Sequence, residues 1–476
     1  MANLPAGRQV AKNFLDLQFK IYARRGGLPV CRKLKKLRHA RLWRGYPRNM
    51  DCMKIYKDLD KKDWKEILRR PVMDNASLEK AVSKILKNVK EKGDKAVKKY
   101  SKEFDGVTLR KLQVSDKEIK DAEKLLSEEL KQAIQQAAAN IRLFHEKQIN
   151  PVEIIETMPG VKCWRKSIGI EKVGLYIPGG TAPLFSTILM LGIPAQIAGC
   201  KEIVLCSPPT KEGTLHAAIL YAAKMVGVTQ IFKAGGVQAI AAMAYGTESI
   251  PQVYKIFGPG NQYVTCAKQL IQKDGIAIDM PAGPSEVAVY ADETAVPSFV
   301  AADLLSQAEH GADSQVVLVG SSESVVGKVL EELELQLNML PRKAIAEKAL
   351  ENSKAIVMND EAEAIELLNE YAAEHLILSC ANADVVAEKI INAGSIFLGN
   401  YSPESVGDYA SGTNHTLPTN GYAKAYSGVS VDSFVKKITY QKMSEEGLKN
   451  ISDTVIAMAE AEGLEAHAKA VRIRKA

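Results

Sequence analysis

The sequence predicts an α/β protein with two Rossmann-like domains built on parallel sheets. Three observations carry this expectation. Between residues 172 and 270 the unit of strand, glycine-bearing turn and helix recurs four times. A second alternating set runs from Glu286 to Leu398. No G-x-G-x-x-G occurs, so the ordinary dinucleotide turn is absent, yet Gly179-Gly180, Gly235-Gly236 and Gly258-Pro259-Gly260 would each let a ligand approach the main chain.

Composition bounds the function. The 476 residues give a prior of about three domains, and 46% hydrophobic with 25% charged residues is ordinary for a globular chain. No run reaches the ~20 apolar residues of a membrane span. Cys31, Cys52, Cys163, Cys200, Cys206, Cys266 and Cys380 form no C-x-x-C pair, which argues against a disulfide framework or a zinc–thiolate site and suits a cytoplasmic protein. The net charge of +7 hides an asymmetry. Residues 1–50 carry thirteen Lys/Arg against the single Asp16, so the remaining chain is acidic and gives no reason to expect nucleic acid.

Taken in order, residues 1–52 read as a basic, disordered extension around Arg32-Lys33-Leu34-Lys35-Lys36-Leu37-Arg38, without Ser, Thr or sustained amphipathic period in the first 50; Met50 and Met53 offer alternative starts. From Lys54 to Glu146 the pattern is helical, with a helix start at Ala76-Ser77-Leu78-Glu79 and an apolar stripe through Leu125, Leu126, Leu130, Ile134 and Ala137. Strands follow at 172–177, 202–206, 230–233 and 253–257, each with a Gly turn or helix behind it. The second set has strands at 286–290, 315–319, 355–358, 376–379 and 395–398. After Gly399 a long loop without period, Asn400–Tyr422, reads as functional. Helices at about 443–461 and 463–471 close the chain; lacking a core of their own, they are expected to pack on a neighbour. The expected domains are 53–172 with 285–428, then 173–284, then a helical arm at 429–476.

Chemistry centres on Leu304-Leu305-Ser306-Gln307-Ala308-Glu309-His310-Gly311. Gln307 and His310, three apart near a helix end, aim an oxygen and an imidazole at one point, which is half of a metal site. The plain alternative is a helix end whose polar groups meet water. Four of the seven His stand beside a carboxylate or amide: Gln307/His310, Glu374/His375, Asp408 with His415, and Glu462/His467. Such N and O donors suit a borderline dication such as Zn²⁺. Glu374 and His375 cannot both face the site from within one strand, because adjacent side chains alternate. The loop Gly407–Thr419 adds acceptors, an imidazole and hinge glycines.

Together, Ile278-Asp279-x-x-Ala282-Gly283-Pro284-Ser285-Glu286, Leu304–His310, Glu374-His375-Leu376 and Gly407-Asp408-Tyr409 through His415-Thr416-Leu417-Pro418-Thr419 resemble the histidinol dehydrogenase family, in order and over close to nine-tenths of the chain. The resemblance implies an NAD-dependent, zinc-containing homodimer that oxidises L-histidinol to L-histidine through the aldehyde, using two NAD⁺. By motif it assigns zinc to Gln307, His310, Asp408 and His467, with His467 of the partner subunit supplied by a swapped C-terminal arm. It makes Glu374 the activator of water and His375 the base for the alcohol proton. Ser285, Glu462, Gln307, His310, His375, Asp408 and His467 would hold substrate, and Tyr176, Gln238 and Asn261 would contact NAD. Ala373 departs from the family, which often has Pro there, and the basic extension has no counterpart. Two other readings are weighed beside it: a zinc hydrolase using the same donors with Glu374 as base, and a non-catalytic anion- or nucleic-acid-binding protein using residues 1–50.

Overall fold

The computed structural model describes residues 41–42, 53–71, 75–179 and 183–475. The basic extension expected over 1–52 thus lies outside the described residues, except for β1 (Arg41–Leu42), which pairs antiparallel with β2 (Lys54–Lys57). β2 corrects the expectation that helices alone open the body. Its Ile55 and Tyr56 are buried on opposite faces of a sheet, as the alternation of a strand requires. Helices α1 (Asn75–Tyr100), α2 (Asp116–Lys124) and α3 (Glu128–Glu146) follow. α2 starts in a capping box between Ser115 and Glu118, and Ser127 caps α3. A hairpin of β3 (Ile154–Met158) and β4 (Val161–Gly169) comes next and had no signal in the sequence reading.

The first parallel sheet contains β5 (Lys172–Tyr176), β6 (Glu202–Ser207), β7 (Gln230–Lys233), β8 (Lys255–Phe257) and β9 (Ala277–Ile278), with α4 (Phe185–Ile197), α5 (Ala217–Met225), α6 (Gly236–Tyr245) and α7 (Gln262–Gln272) between them. Its order is β7-β6-β5-β8-β9. The second sheet takes β10 (Glu286–Ala291), β11 (Gln315–Gly320), β12 (Lys354–Val357), β13 (His375–Ser379) and β14 (Ser395–Leu398). Their helices are α8 (Pro297–Ala308), α9 (Glu323–Met339), α10 (Lys343–Glu351), α11 (Glu361–Tyr371) and α12 (Ala383–Ala387). The order β1-β2-β12-β11-β10-β13-β14 is parallel throughout except for β1. In both sheets the first strand of the set is central and the fourth lies on its other side. Each therefore has a point where the strand order reverses, the place where doubly wound sheets open a crevice.

Alternation along β10 explains the layering of the second sheet. Val287, Val289 and Ala291 face α8, α9 and α10, while Ala288 and Tyr290 face α11 and the segment around Trp64 and Leu68. The helical segment before β3 does not join this sheet, which differs from the expected grouping of 53–172 with 285–428. Val82, Leu86 and Val89 of α1 lie in one core with Ala239, Ala242 and Met243 of α6, and Ile134 and Ile141 of α3 lie in another with Val173 and Leu189. The run of alanines on α6 lets α1 approach closely, so α1 to α3 clothe the five-stranded sheet on both faces.

The expected long loop contains one short helix, α13 (Glu404–Tyr409). Beyond it β15 (Val435–Met443) pairs antiparallel with β4 over nine residues, giving a small sheet of order β15-β4-β3. α14 (Glu445–Ala461) and α15 (Glu465–Lys475) complete the chain and pack on each other. Met458 and Ile473 on these helices and Leu464 in the turn between them are exposed. Among the described residues no helix is long and apolar enough to cross a membrane.

Candidate active site

The two sheets meet head to tail. The chain leaves the carboxyl end of β9 at Asp279 and enters the amino end of β10 at Glu286, so the seven residues from Asp279 to Ser285 run along the junction. β10 and β13 are neighbours, with Val287 opposite His375. That register sets Glu286 beside Glu374 and His375. α11 ends in Ala372, a left-handed residue (φ 53°, ψ 62°) that turns the chain sharply into β13 and delivers Glu374 at the strand mouth.

Around this point the side chains converge. Glu374 Oε2 accepts the Glu286 N–H at 2.9 Å, and His375 Nδ1 donates to the Glu286 carbonyl at 3.3 Å. That bond makes Nδ1 a donor and turns Nε2 toward Asp408. Nε2 lies 3.4 Å from Asp408 Oδ1, while Nδ1 is 3.7 Å from Glu374 Oε2 and 3.9 Å from Glu404 Oε1. Gln307, oriented to satisfy both ends of its amide, donates to Glu404 Oε1 at 2.5 Å and accepts the Glu286 N–H at 2.9 Å. His310 stands at the exposed rim with Nδ1 3.4 Å from Ser285 Oγ, and its charged surroundings are Asp408, His375, His415 and Arg342. His415 ties the loop to both halves: Nδ1 meets the Asp408 carbonyl at 2.7 Å, and Nε2 meets Thr187 Oγ1 of α4 at 3.1 Å.

Three carboxylates crowd one imidazole. Burial first, and then the negative neighbours Asp408 and Glu286, push Glu374 up to about 8. Glu404 is raised to about 8 by burial and by the charges of Asp408 and Glu374. Burial opposes the charge on His375, but Glu404, Glu374 and Asp408 outweigh it and raise His375 to about 10. Burial also opposes the charge on Asp408, yet its contact with His375 holds it below the usual carboxylate range. Three buried atoms, His375 Nε2, Glu404 Oε2 and Asp408 Oδ1, have no hydrogen-bond partner. Donor atoms of these three residues all lie within 4.8 Å of one another. Buried orphan acceptors with excess negative charge fit a dication. This trio shares only Asp408 with the zinc set implied by the resemblance, and Gln307 and His310 border it.

At the other sheet, Tyr176 closes β5 and its hydroxyl accepts the Gly236 N–H at 3.1 Å. Gln238 is buried with Oε1 unpartnered. Asn261 caps α7, its Oδ1 accepting from Tyr263 N and Val264 N at 3.1 and 3.2 Å. These three residues stand at the carboxyl ends of β5, β7 and β8, around the reversal between β5 and β8. Gly258 has φ +129°, and a Cβ there would sit 2.0 Å from the Tyr176 carbonyl oxygen, so only glycine fits the turn. A buried ion pair braces it: Lys268 Nζ and Asp279 Oδ1 are 2.5 Å apart, Lys268 donates to the Gly258 carbonyl at 2.9 Å, and Asp279 Oδ2 accepts the Gly258 N–H at 2.8 Å.

Of the residues singled out from the sequence, Ser285, Gln307, His310, Glu374, His375 and Asp408 come together. Glu462 and His467 do not; they are exposed on the terminal arm. Sequence reasoning missed Glu404 and Glu286. Glu404 stands four before Asp408, a helical spacing that could have revealed it. Glu286 acts mainly through its peptide and carries no such signal.

A doubly wound sheet set against a buried carboxylate–imidazole centre defines an α/β protein equipped for acid–base chemistry. The histidinol dehydrogenase family model matches residues 68–475. A histidinol dehydrogenase of Bacteroides thetaiotaomicron is 61% identical over 422 residues, 89% of this chain and 99% of that protein. One from Bacteroides fragilis is 60% identical over the same shares. The crystal structure of histidinol dehydrogenase from Elizabethkingia anophelis superposes with a TM-score of 0.87 at 55% identity, covering 89% of this chain and 98% of that one. The chain belongs to the histidinol dehydrogenase family and is an oxidoreductase of histidine biosynthesis.

Proposed function

We propose that the chain converts L-histidinol to L-histidine in two successive NAD⁺-dependent oxidations at one centre, consuming one water and two NAD⁺. The observation that carries this reading is the buried pair Glu374 and His375 at the junction of the two sheets, with His375 Nε2 lacking a hydrogen-bond partner. An alcohol gives up hydride readily only as its hydroxyl proton leaves, and His375 Nε2 is the base for that proton. The aldehyde then needs water as nucleophile, and the Glu374 carboxylate, held by the Glu286 N–H, is the group that deprotonates it. Tyr176, Gln238 and Asn261 would line the NAD crevice, with Gly258 letting the main chain approach the cofactor.

Gln307, His310 and Asp408, with His467 of the partner subunit, would hold Zn²⁺, which supplies a redox-inert anchor for the imidazole and amine nitrogens of the substrate. A dication held among these carboxylates would offset the negative field at His375 and leave Nε2 able to take a proton. Glu404 and Asp408 would then find the positive partner that their orphan oxygens lack. The reading entails a homodimer with a shared site, to which Glu462 and His467 come from the exposed arm, and a cytoplasmic location.

The test is NADH formation at 340 nm with L-histidinol, two NADH per substrate, lost with chelator and restored by Zn²⁺. Turnover of a small polar ester or amide without NAD⁺ would favour a hydrolase instead.

A further inference from the structure

Glu286 touches both reactive residues through its main chain. Its N–H is bonded to Glu374 and its carbonyl to His375, at 2.9 and 3.3 Å. What fixes this peptide lies on the other side of the residue. The Glu286 carboxylate, in a side chain only 4% exposed, receives Arg70 Nε at 2.5 Å, Arg70 Nη2 at 2.8 Å and the Asn420 N–H at 2.7 Å. Arg70 is itself immobilised: Nη2 donates to the Tyr371 carbonyl at 2.7 Å, and the guanidinium lies 4.1 Å over the Tyr371 ring. The Tyr371 hydroxyl in turn donates to Gln315 Oε1 at 3.0 Å. Four segments remote in sequence, around residues 70, 315, 371 and 420, are thereby tied to the Glu286 side chain.

We infer that Arg70 and Glu286 form a positioning pair for the reaction, orienting Glu374 and His375 through the Glu286 peptide. The inference rests on the roles given to Glu374 and His375 above. A buried bidentate ion pair is a weak source of net stability, since well-packed apolar residues often replace one with no loss. Its distinctive property is geometric: two parallel N–H···O bonds fix a carboxylate in direction as well as in place. Here that direction passes through one residue to both reactive side chains. Displacements of about 1 Å at such groups lower turnover by about 100-fold.

The experiment uses the full-length, zinc-loaded enzyme and compares Arg70→Met, Arg70→Lys, Glu286→Gln and the double variant Arg70→Met/Glu286→Leu. Thermal unfolding is recorded beside kcat and KM for L-histidinol, L-histidinal and NAD⁺. Arg70→Met should lower kcat about 100-fold with KM for NAD⁺ unchanged, and Arg70→Lys should recover part of that loss. The double variant, having no unpaired buried charge, should regain the parental melting temperature without regaining kcat. Recovery of kcat together with melting temperature would reduce the pair to a structural role and overturn the inference, as would single variants that lose stability but keep parental kcat. Glu374→Gln and His375→Asn serve as controls. If both retain parental rates, the roles assigned to them fail and the pair's role falls with them; if they lose rate while the Arg70 and Glu286 variants do not, the pair's role alone fails.

Discussion

Replacing Glu374 by Gln separates the two oxidations. The amide is nearly isosteric with the carboxylate, and its oxygen can still accept the Glu286 N–H that Glu374 Oε2 accepts at 2.9 Å. The side chain should stay in place while its capacity to take a proton is lost. His375 keeps its Nδ1 bond to the Glu286 carbonyl, so proton removal from the alcohol persists. A positioned general base contributes about 10²- to 10⁴-fold, or ~3–5 kcal/mol of barrier. The second half-reaction should slow by that amount and the first by less than about 10-fold. Two stopped-flow assays decide the matter: the first NADH formed from L-histidinol under single-turnover conditions, and NADH formed from L-histidinal directly. Equal loss in both assays would refute the division of labour between Glu374 and His375.

Three more outcomes follow from the same geometry. Asp303 of α8 is 8% exposed, and burial raises it from 3.8 to about 7; because the folded value is the higher one, its ionisation destabilises the fold progressively as pH rises from about 4 to about 7, and Asp303→Asn should flatten that part of the pH–stability curve and gain ~4 kcal/mol at pH 8 by urea unfolding. A variant with the parental slope would show that Asp303 stays ionised at no cost. Lys268→Met leaves Asp279 buried without its cation and should lose ~3–5 kcal/mol of stability, whereas Lys268→Met/Asp279→Leu should recover most of it; calorimetric titration with NAD⁺ should still show weakened binding in the double variant, because the Gly258 turn has lost both braces. Mixing inactive Asp408→Ala and His467→Ala subunits should restore roughly a quarter of the parental activity if each site draws on two subunits, since half the dimers are mixed and each holds one intact site; no recovery after confirmed subunit exchange would argue for a site within one chain.

The parallel sheets were legible because their strands are short runs rich in Val, Ile and Leu, each bounded by a turn; Gln230–Lys233 and Ser395–Leu398 fall where the pattern set them. The hairpin β3–β4 and strand β15 were not. Residues such as Lys162, Arg165, Lys436 and Lys437 interrupt their apolar pattern, and their pairing joins segments about 270 residues apart. Gln307, Glu374, His375 and Asp408 could be picked out because reactive side chains stand close in sequence to one another. The function of Glu286 could not, since it depends on which strand lies beside β10, and that is decided only when the sheet forms. The grouping of α1 to α3 failed for a similar reason: the apolar stripe of an amphipathic helix says that it packs, but not against which sheet.

The head-to-tail meeting of the sheets also sorts charge by backbone alone. On the five-stranded side, α6 and α7 begin at the cleft, after Gly235 and Asn261, and turn the positive ends of their dipoles toward it. On the seven-stranded side, α8 and α11 finish there, at Ala308 and Tyr371, and present their negative ends. Main-chain polarity thus gives the junction an anion-accepting side and a cation-accepting side before any ionisable side chain is counted. A ligand carrying phosphates and another carrying protonated nitrogens would be drawn to opposite sides, and so arrive already facing each other.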